Sequence, residues 1–138
     1  MGATLVGPRV TNLSPGMHGS TFGGNPLACA ASLAAIQAIQ EENLPQQAAE
    51  KGFYLLEHLN QLESPLVREV RGLGLMIGIE LKQKVAPYLQ EMESRGVIAL
   101  PAGMTVIRLL PPLVISYAQL DQVLAVLAEV LNLDGAGA

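Results

Sequence analysis

Charge is what this 138-residue sequence has least of: Asp, Glu, Lys and Arg together make 14% of it, against about 25% in an ordinary soluble domain. There is no tryptophan, aromatic residues reach only 4%, and the net charge is -4. A basic surface interleaved with aromatics, of the kind that grips nucleic acid, cannot be assembled from these residues. The one cysteine, Cys29, excludes an internal disulfide, and among Ala28, Ala30 and Ala31 it is expected to pack as a small buried hydrophobe. Two histidines with no acidic residue at ligand spacing give no metal site. Long apolar runs are missing too. Residues 27–39 form the longest, already broken by Ser32 and Gln37, whereas a membrane span needs about 20 residues. The opening Met1-Gly2-Ala3-Thr4-Leu5-Val6-Gly7-Pro8-Arg9 has no basic region followed by an apolar block, so neither a signal nor a transit peptide is expected, and the reading is a cytoplasmic protein.

Half of the residues are hydrophobic, which excludes intrinsic disorder. A chain of this length buries about two-thirds of its unfolded surface. With so few charges to dress the outside, part of that outside is expected to be covered by something else.

Residues 3–6 read as a short strand ending at Gly7-Pro8, and residues 11–24 as a long Ser-, Thr-, Gly- and Asn-rich loop. Asn25-Pro26 is a helix start, and the helix it opens, 26–40, is apolar nearly all round, the mark of a buried helix. A second helix begins near Leu44-Pro45, with Leu44, Ala48, Leu55, Leu59 and Leu62 along one face, and ends before Ser64-Pro65. Beyond residue 64 the pattern turns to short pieces. Residues 66–71 and 75–81 read as strands joined by a hairpin at Gly72-Leu73-Gly74, with Leu75, Ile77, Ile79 and Leu81 alternating onto one face. Residues 85–95 form a helix closed by Gly96; 97–100 and 106–109 are strands around Pro101-Ala102-Gly103. Ser116 and Gln119 make a capping box before a final helix striped by Leu120, Val123, Leu124, Leu127 and Leu131, and a frayed tail follows from Asp134. The second half is therefore a small α+β layer.

Two places invite chemistry. His18-Gly19-Ser20-Thr21-Phe22-Gly23-Gly24-Asn25 sets two hydroxyls before a helix N-terminus, where backbone N–H groups and the helix dipole favour an anion. The same residues also make an ordinary glycine-rich capping turn. No Gly-Lys-Ser/Thr signature of a nucleotide phosphate loop occurs, and His18 beside Ser20 lacks the elbow a hydrolase needs. Arg108, in Val106-Ile107-Arg108-Leu109-Leu110-Pro111-Pro112, needs an anionic partner if it is buried. That partner is either internal, Glu80 or Glu69, or a substrate carboxylate gripped by the arginine fork.

The stretch Gly16-Met17-His18-Gly19-Ser20-Thr21-Phe22-Gly23-Gly24-Asn25-Pro26-Leu27-Ala28 resembles class III pyridoxal-phosphate aminotransferases. Val70-Arg71-Gly72-Leu73-Gly74-Leu75-Met76-Ile77-Gly78-Ile79-Glu80-Leu81 and Ile107-Arg108-Leu109-Leu110-Pro111-Pro112-Leu113-Val114-Ile115 are similar to acetylornithine aminotransferases, and Lys82-Gln83-Lys84-Val85-Ala86-Pro87-Tyr88 to the branch that also handles carrier-linked lysine. The resemblance runs to about Leu131. It implies the C-terminal third of a fold-type I enzyme: 1–43 the end of the cofactor-binding large domain, 44–64 an interdomain helix, and 65–138 the small C-terminal α+β domain. It further implies a homodimeric transferase of arginine or lysine biosynthesis, moving an amino group between N-acetylornithine, or a related ω-amino acid, and a 2-oxo acid.

By the same resemblance, Thr21 binds the phosphate of pyridoxal 5'-phosphate in the neighbouring subunit, Ser20 contacts substrate, and Arg108 holds the substrate α-carboxylate or the dicarboxylate of the second half-reaction. No catalytic residue is carried over. The Schiff-base lysine of the family precedes the matching segment, and Lys51, Lys82 and Lys84 do not fit its motif and fall in segments read as exposed helix and linker. The chain alone is expected to be inactive, lacking the N-terminal large domain. The alternative reading is a self-associating interaction module without catalysis.

Overall fold

The computed structural model describes residues 2–132, which hold four helices and one four-stranded sheet. The frayed tail expected from Asp134 lies outside the described residues. The chain divides into two units, residues 1–43 and 44–138.

In the first unit, residues 2–25 form turns and extended segments, and no strand forms at residues 3–6. Leu5 and Val6 stand exposed. A strand is held by a neighbour's N–H and C=O groups, and no segment among the described residues pairs with this one. Helix α1 spans Pro26–Glu41, and Asn25 caps it as its residue type predicts, its side-chain oxygen accepting the Ala28 N–H at 2.9 Å. The expectation of a buried helix fails. No residue of α1 is buried, Leu27 is 81% exposed and Leu33 69%. Cys29 is only half-buried. Apolar composition records the surroundings a helix suits and does not supply them.

The second unit begins at helix α2, Leu44–Asn60, just after Asn43 turns the chain at φ 49°. Strands β1 (Val67–Leu73) and β2 (Met76–Leu81) follow, then helix α3 (Ala86–Ser94), strands β3 (Leu100–Ala102) and β4 (Val106–Leu109), and helix α4 (Tyr117–Asn132). The sheet order is β1-β2-β4-β3, antiparallel throughout. Leu75, Ile77, Ile79 and Leu81 are buried as their alternation predicts, with Ile107 and Leu109 beside them. Val85, Tyr88 and Met92 of the α3 region and Leu120, Leu127 and Leu131 of α4 close the core from the helical side.

Element boundaries move, most of all around β1 and β3. The β1–β2 turn centres on Gly74, at φ 55°, and Leu75, so β1 extends through Leu73. Strand β3 starts at Leu100, not at residue 97, and includes Pro101, for which the sequence predicts a turn. It is an edge strand pairing only with β4, and an edge tolerates a residue without an N–H. The capping box forms as expected: the Ser116 N–H donates to Gln119 Oε1 at 2.9 Å and the Gln119 N–H to Ser116 Oγ at 3.3 Å. Helices α2 and α4 are clasped by Tyr54, whose hydroxyl donates to Asp121 and whose ring meets Tyr117 edge-on. The Asp121 bond raises the Tyr54 pKa. No helix among the described residues is long and apolar enough to cross a membrane, and none of their His, Cys, Asp and Glu side chains gather in a group that could hold a metal ion.

Candidate functional site

Ser20 and Thr21 belong to the first unit and Arg108 to the second, so each is described within its own unit. In the first, the Gly23 N–H folds back on the Ser20 carbonyl at 3.4 Å. A Cβ at position 23 would lie 2.9 Å from that of Ser20, so the turn needs glycine there. The hydroxyls of Ser20 and Thr21 are exposed and free to donate. The helix end behind them offers less than the sequence suggests. Pro26 has no N–H, that of Ala28 is taken by the Asn25 side chain and that of Cys29 by the Asn25 carbonyl, which leaves Leu27. Two hydroxyls and one N–H remain free in this segment; His18 makes no hydrogen bond to Ser20.

Arg108 lies on β4 between buried Ile107 and Leu109, so its side chain leaves the sheet on the face away from the core. Register places Gly78 of β2 on one side of it and Leu100 of β3 on the other, with Arg71 of β1 beyond Gly78. Both proposed internal partners of Arg108 are engaged elsewhere. Glu80 pairs with Arg71 at 2.9 Å and Arg68 at 3.0 Å, and Glu69 with Arg71 at 3.0 Å. The β-bulge at the start of β1 shifts the register there, and Arg68 and Arg71 both reach Glu80. The bond from Arg71, with Arg68 adding to it, holds the Glu80 carboxyl below the usual carboxylate range.

Arg108 has no such partner: its Nε is the single buried side-chain nitrogen or oxygen among the described residues without a hydrogen bond. A buried guanidinium N–H left unmet costs free energy, roughly 1–3 kcal/mol. Arg108 also lines a cavity of about 500 Å³, with Leu55 of α2, Pro111, Pro112 and Ile115 of the segment after β4, and Gln119 of α4. An arginine with an unmet donor is equipped to take a carboxylate.

Sequence reasoning missed two residues. Lys51, read as exposed, is only 7% exposed, its ammonium bonded to neutral oxygens of Gln47 and Leu113. Its position among Leu44, Leu55 and Leu59 on the buried side of α2 was the available signal. Lys82 and Lys84 are exposed as expected. Gly52 is missed because nothing local marks it: a Cβ there would lie 2.1 Å from the Gly74 carbonyl oxygen, so helix and hairpin touch through bare backbone.

The unit from Leu44 onward is an α+β layer with an unpaired arginine on its sheet. Residues 2–131 match the family model for class III aminotransferases, and the chain belongs to that family. It is 55% identical over 118 residues to a [LysW]-aminoadipate semialdehyde transaminase of Deinococcus radiodurans, covering 85% of this chain and 28% of that protein. With an ornithine aminotransferase of an Exiguobacterium species it shares 48% over 118 residues, 86% of this chain and 30% of the relative. Among solved structures, the acetylornithine aminotransferase of Elizabethkingia anophelis superposes with a TM-score of 0.79 at 34% identity, over 86% of this chain and 33% of that one. The ornithine δ-aminotransferase of Plasmodium falciparum does so at 0.83 and 34%, over 91% and 34%. The chain thus spans about 30% of the length of the curated relatives it matches.

Proposed function

We propose that this chain supplies the carboxylate-binding arginine and one wall of the substrate site of a pyridoxal-phosphate aminotransferase, one that moves an amino group between N-acetylornithine, or a related ω-amino acid derivative, and 2-oxoglutarate in arginine or lysine biosynthesis. The observation that carries the reading is the buried, unbonded Nε of Arg108 while both nearby glutamates serve other arginines. The names of the relatives, ornithine, acetylornithine and LysW-aminoadipate semialdehyde transaminases, support a substrate with an α-carboxylate and a distal amino or aldehyde group. Arg108 anchors the carboxylate; Thr21 and Ser20 address phosphate and substrate.

Pyridoxal phosphate, when bound, takes up the electron pair released at the substrate α-carbon. The residues of this chain orient substrate and cofactor. In this reading residues 1–43 belong to the large domain, 44–64 form the interdomain helix and 65–138 the small domain of a homodimeric enzyme. In this reading none of Lys51, Lys82 and Lys84 serves the cofactor: Lys51 is occupied with Gln47 and Leu113, Lys82 donates to the Pro65 carbonyl, and Lys84 stands exposed in the segment before α3.

Calorimetric titration with glutarate tests the assignment. The chain should bind this dicarboxylate with millimolar affinity and Arg108→Met should not; a wild-type chain as silent as the variant overturns it. The chain with added pyridoxal phosphate should show no transamination of acetylornithine and 2-oxoglutarate, and turnover would refute that part. The exposed apolar surface of α1 favours the second reading, a self-associating module. A tight, salt-insensitive dimer in sedimentation that binds no glutarate supports it.

A further inference from the structure

Lys51 is the one charged residue buried among the described residues. Its ammonium donates to Gln47 Oε1 at 3.0 Å, one turn back along α2, and to the Leu113 carbonyl oxygen at 3.4 Å, and no carboxylate pairs with it. Removing an ammonium from water for two neutral oxygens costs more than burying an apolar chain of the same length. Core stability alone therefore does not account for a lysine at this position.

What the ammonium holds is the segment leaving the arginine strand. Leu109 is buried, Pro111 and Pro112 follow with fixed φ, and the Ile115 N–H turns back on the Pro112 carbonyl at 3.0 Å before Ile115 itself is buried. Between those anchors, the Lys51 bond to Leu113 ties the segment to α2. One helical turn further on, Leu55 joins Pro111, Pro112 and Ile115 in the wall of the cavity that Arg108 also lines. A stiff proline pair transmits a restraint applied at Leu113 back to Leu109 and Arg108.

We propose that Lys51 is a positioning residue: by holding the Leu113 carbonyl it fixes, through Pro111 and Pro112, the pose in which Arg108 meets a carboxylate. The inference rests on the reading of Arg108 given above. It does not make Lys51 a substrate ligand.

The test compares Lys51→Met and Lys51→Arg in the whole chain, with two readouts. One is hydrogen exchange at the Arg108 Nε–H, followed by NMR and assigned by its loss in Arg108→Met; the other is glutarate affinity. Lys51→Met should fold at least as well as wild type, yet exchange at Arg108 about tenfold faster and bind glutarate about tenfold more weakly. Lys51→Arg, which keeps a donor, should recover most of both. A folded Lys51→Met with unchanged exchange at Arg108 overturns the proposal. If Lys51→Met does not fold, Pro112→Ala loosens the spacer with Lys51 in place, and unchanged exchange there overturns it equally. A wild-type chain that ignores glutarate defeats the carboxylate reading alone, because the exchange comparison still decides whether Lys51 sets Arg108.

Discussion

A buried donor with no acceptor penalises the fold and suits a ligand. Arg108 holds that position in this chain, and the penalty is measurable. Arg108→Met removes the unmet N–H and keeps most of the apolar stem, so urea denaturation should show a chain more stable by about 1 kcal/mol. A loss of stability of that size would mean the guanidinium serves an internal partner. Glu80 works in the opposite sense. Its folded pKa lies below its unfolded one, so its contribution is present above the ordinary carboxylate range and disappears as pH falls through the folded value. Glu80→Gln should lower stability at neutral pH and flatten the acid limb of a stability-versus-pH curve, the two chains converging below the folded pKa, and an unchanged curve would show that the Arg71 and Arg68 bonds contribute nothing. Of these two residues the sequence marks Arg108, because a lone charge in an apolar run demands an explanation. Which glutamate it faces is decided by strand register, and register rests on a bulge at Val67 and Glu69 that no local pattern announces.

Elements were readable to the extent that their signals are local. The Asn25 cap of α1 and the Ser116–Gln119 box of α4 stand where the side chains put them, since each is settled within one turn. Strand β3 is shifted and residues 3–6 form no strand, because pairing depends on a partner far along the chain or absent from the described residues. Gly52 shows the same limit at its sharpest. Alanine is the better helix former by about 1 kcal/mol, so local reasoning favours Gly52→Ala. The hairpin carbonyl at Gly74 leaves no room for a Cβ, and overpacking should win by about 2 kcal/mol or more, lowering the melting temperature and loosening α2 from the β1–β2 turn. A variant as stable as the parent would show that helix and hairpin separate without penalty.

Across the chain, burial is unevenly shared. None of the described residues before Leu44 is buried, whereas the unit from Leu44 onward holds a continuous apolar core between sheet and helices. An unsupported helix of this length is marginal in water, so limited proteolysis should cut first within residues 2–43 and leave a resistant piece beginning near Leu44. That piece should melt within a few degrees of the whole chain, and early cuts inside the sheet would contradict this division. The low charge content noted in the sequence resolves accordingly: in the second unit apolar residues fill a core, while in α1 they face outward.

The two margins of the sheet bear on how copies of this chain meet. One margin is a three-residue strand with proline at its centre, and the other carries a bulge and the charged side chains of Arg68, Glu69 and Arg71. Neither offers a clean ladder of free amides for another chain to dock against. Material that clumps through the exposed apolar side chains of α1 instead should dissolve with mild detergent, leave the infrared amide band unchanged and fail to seed fibrils.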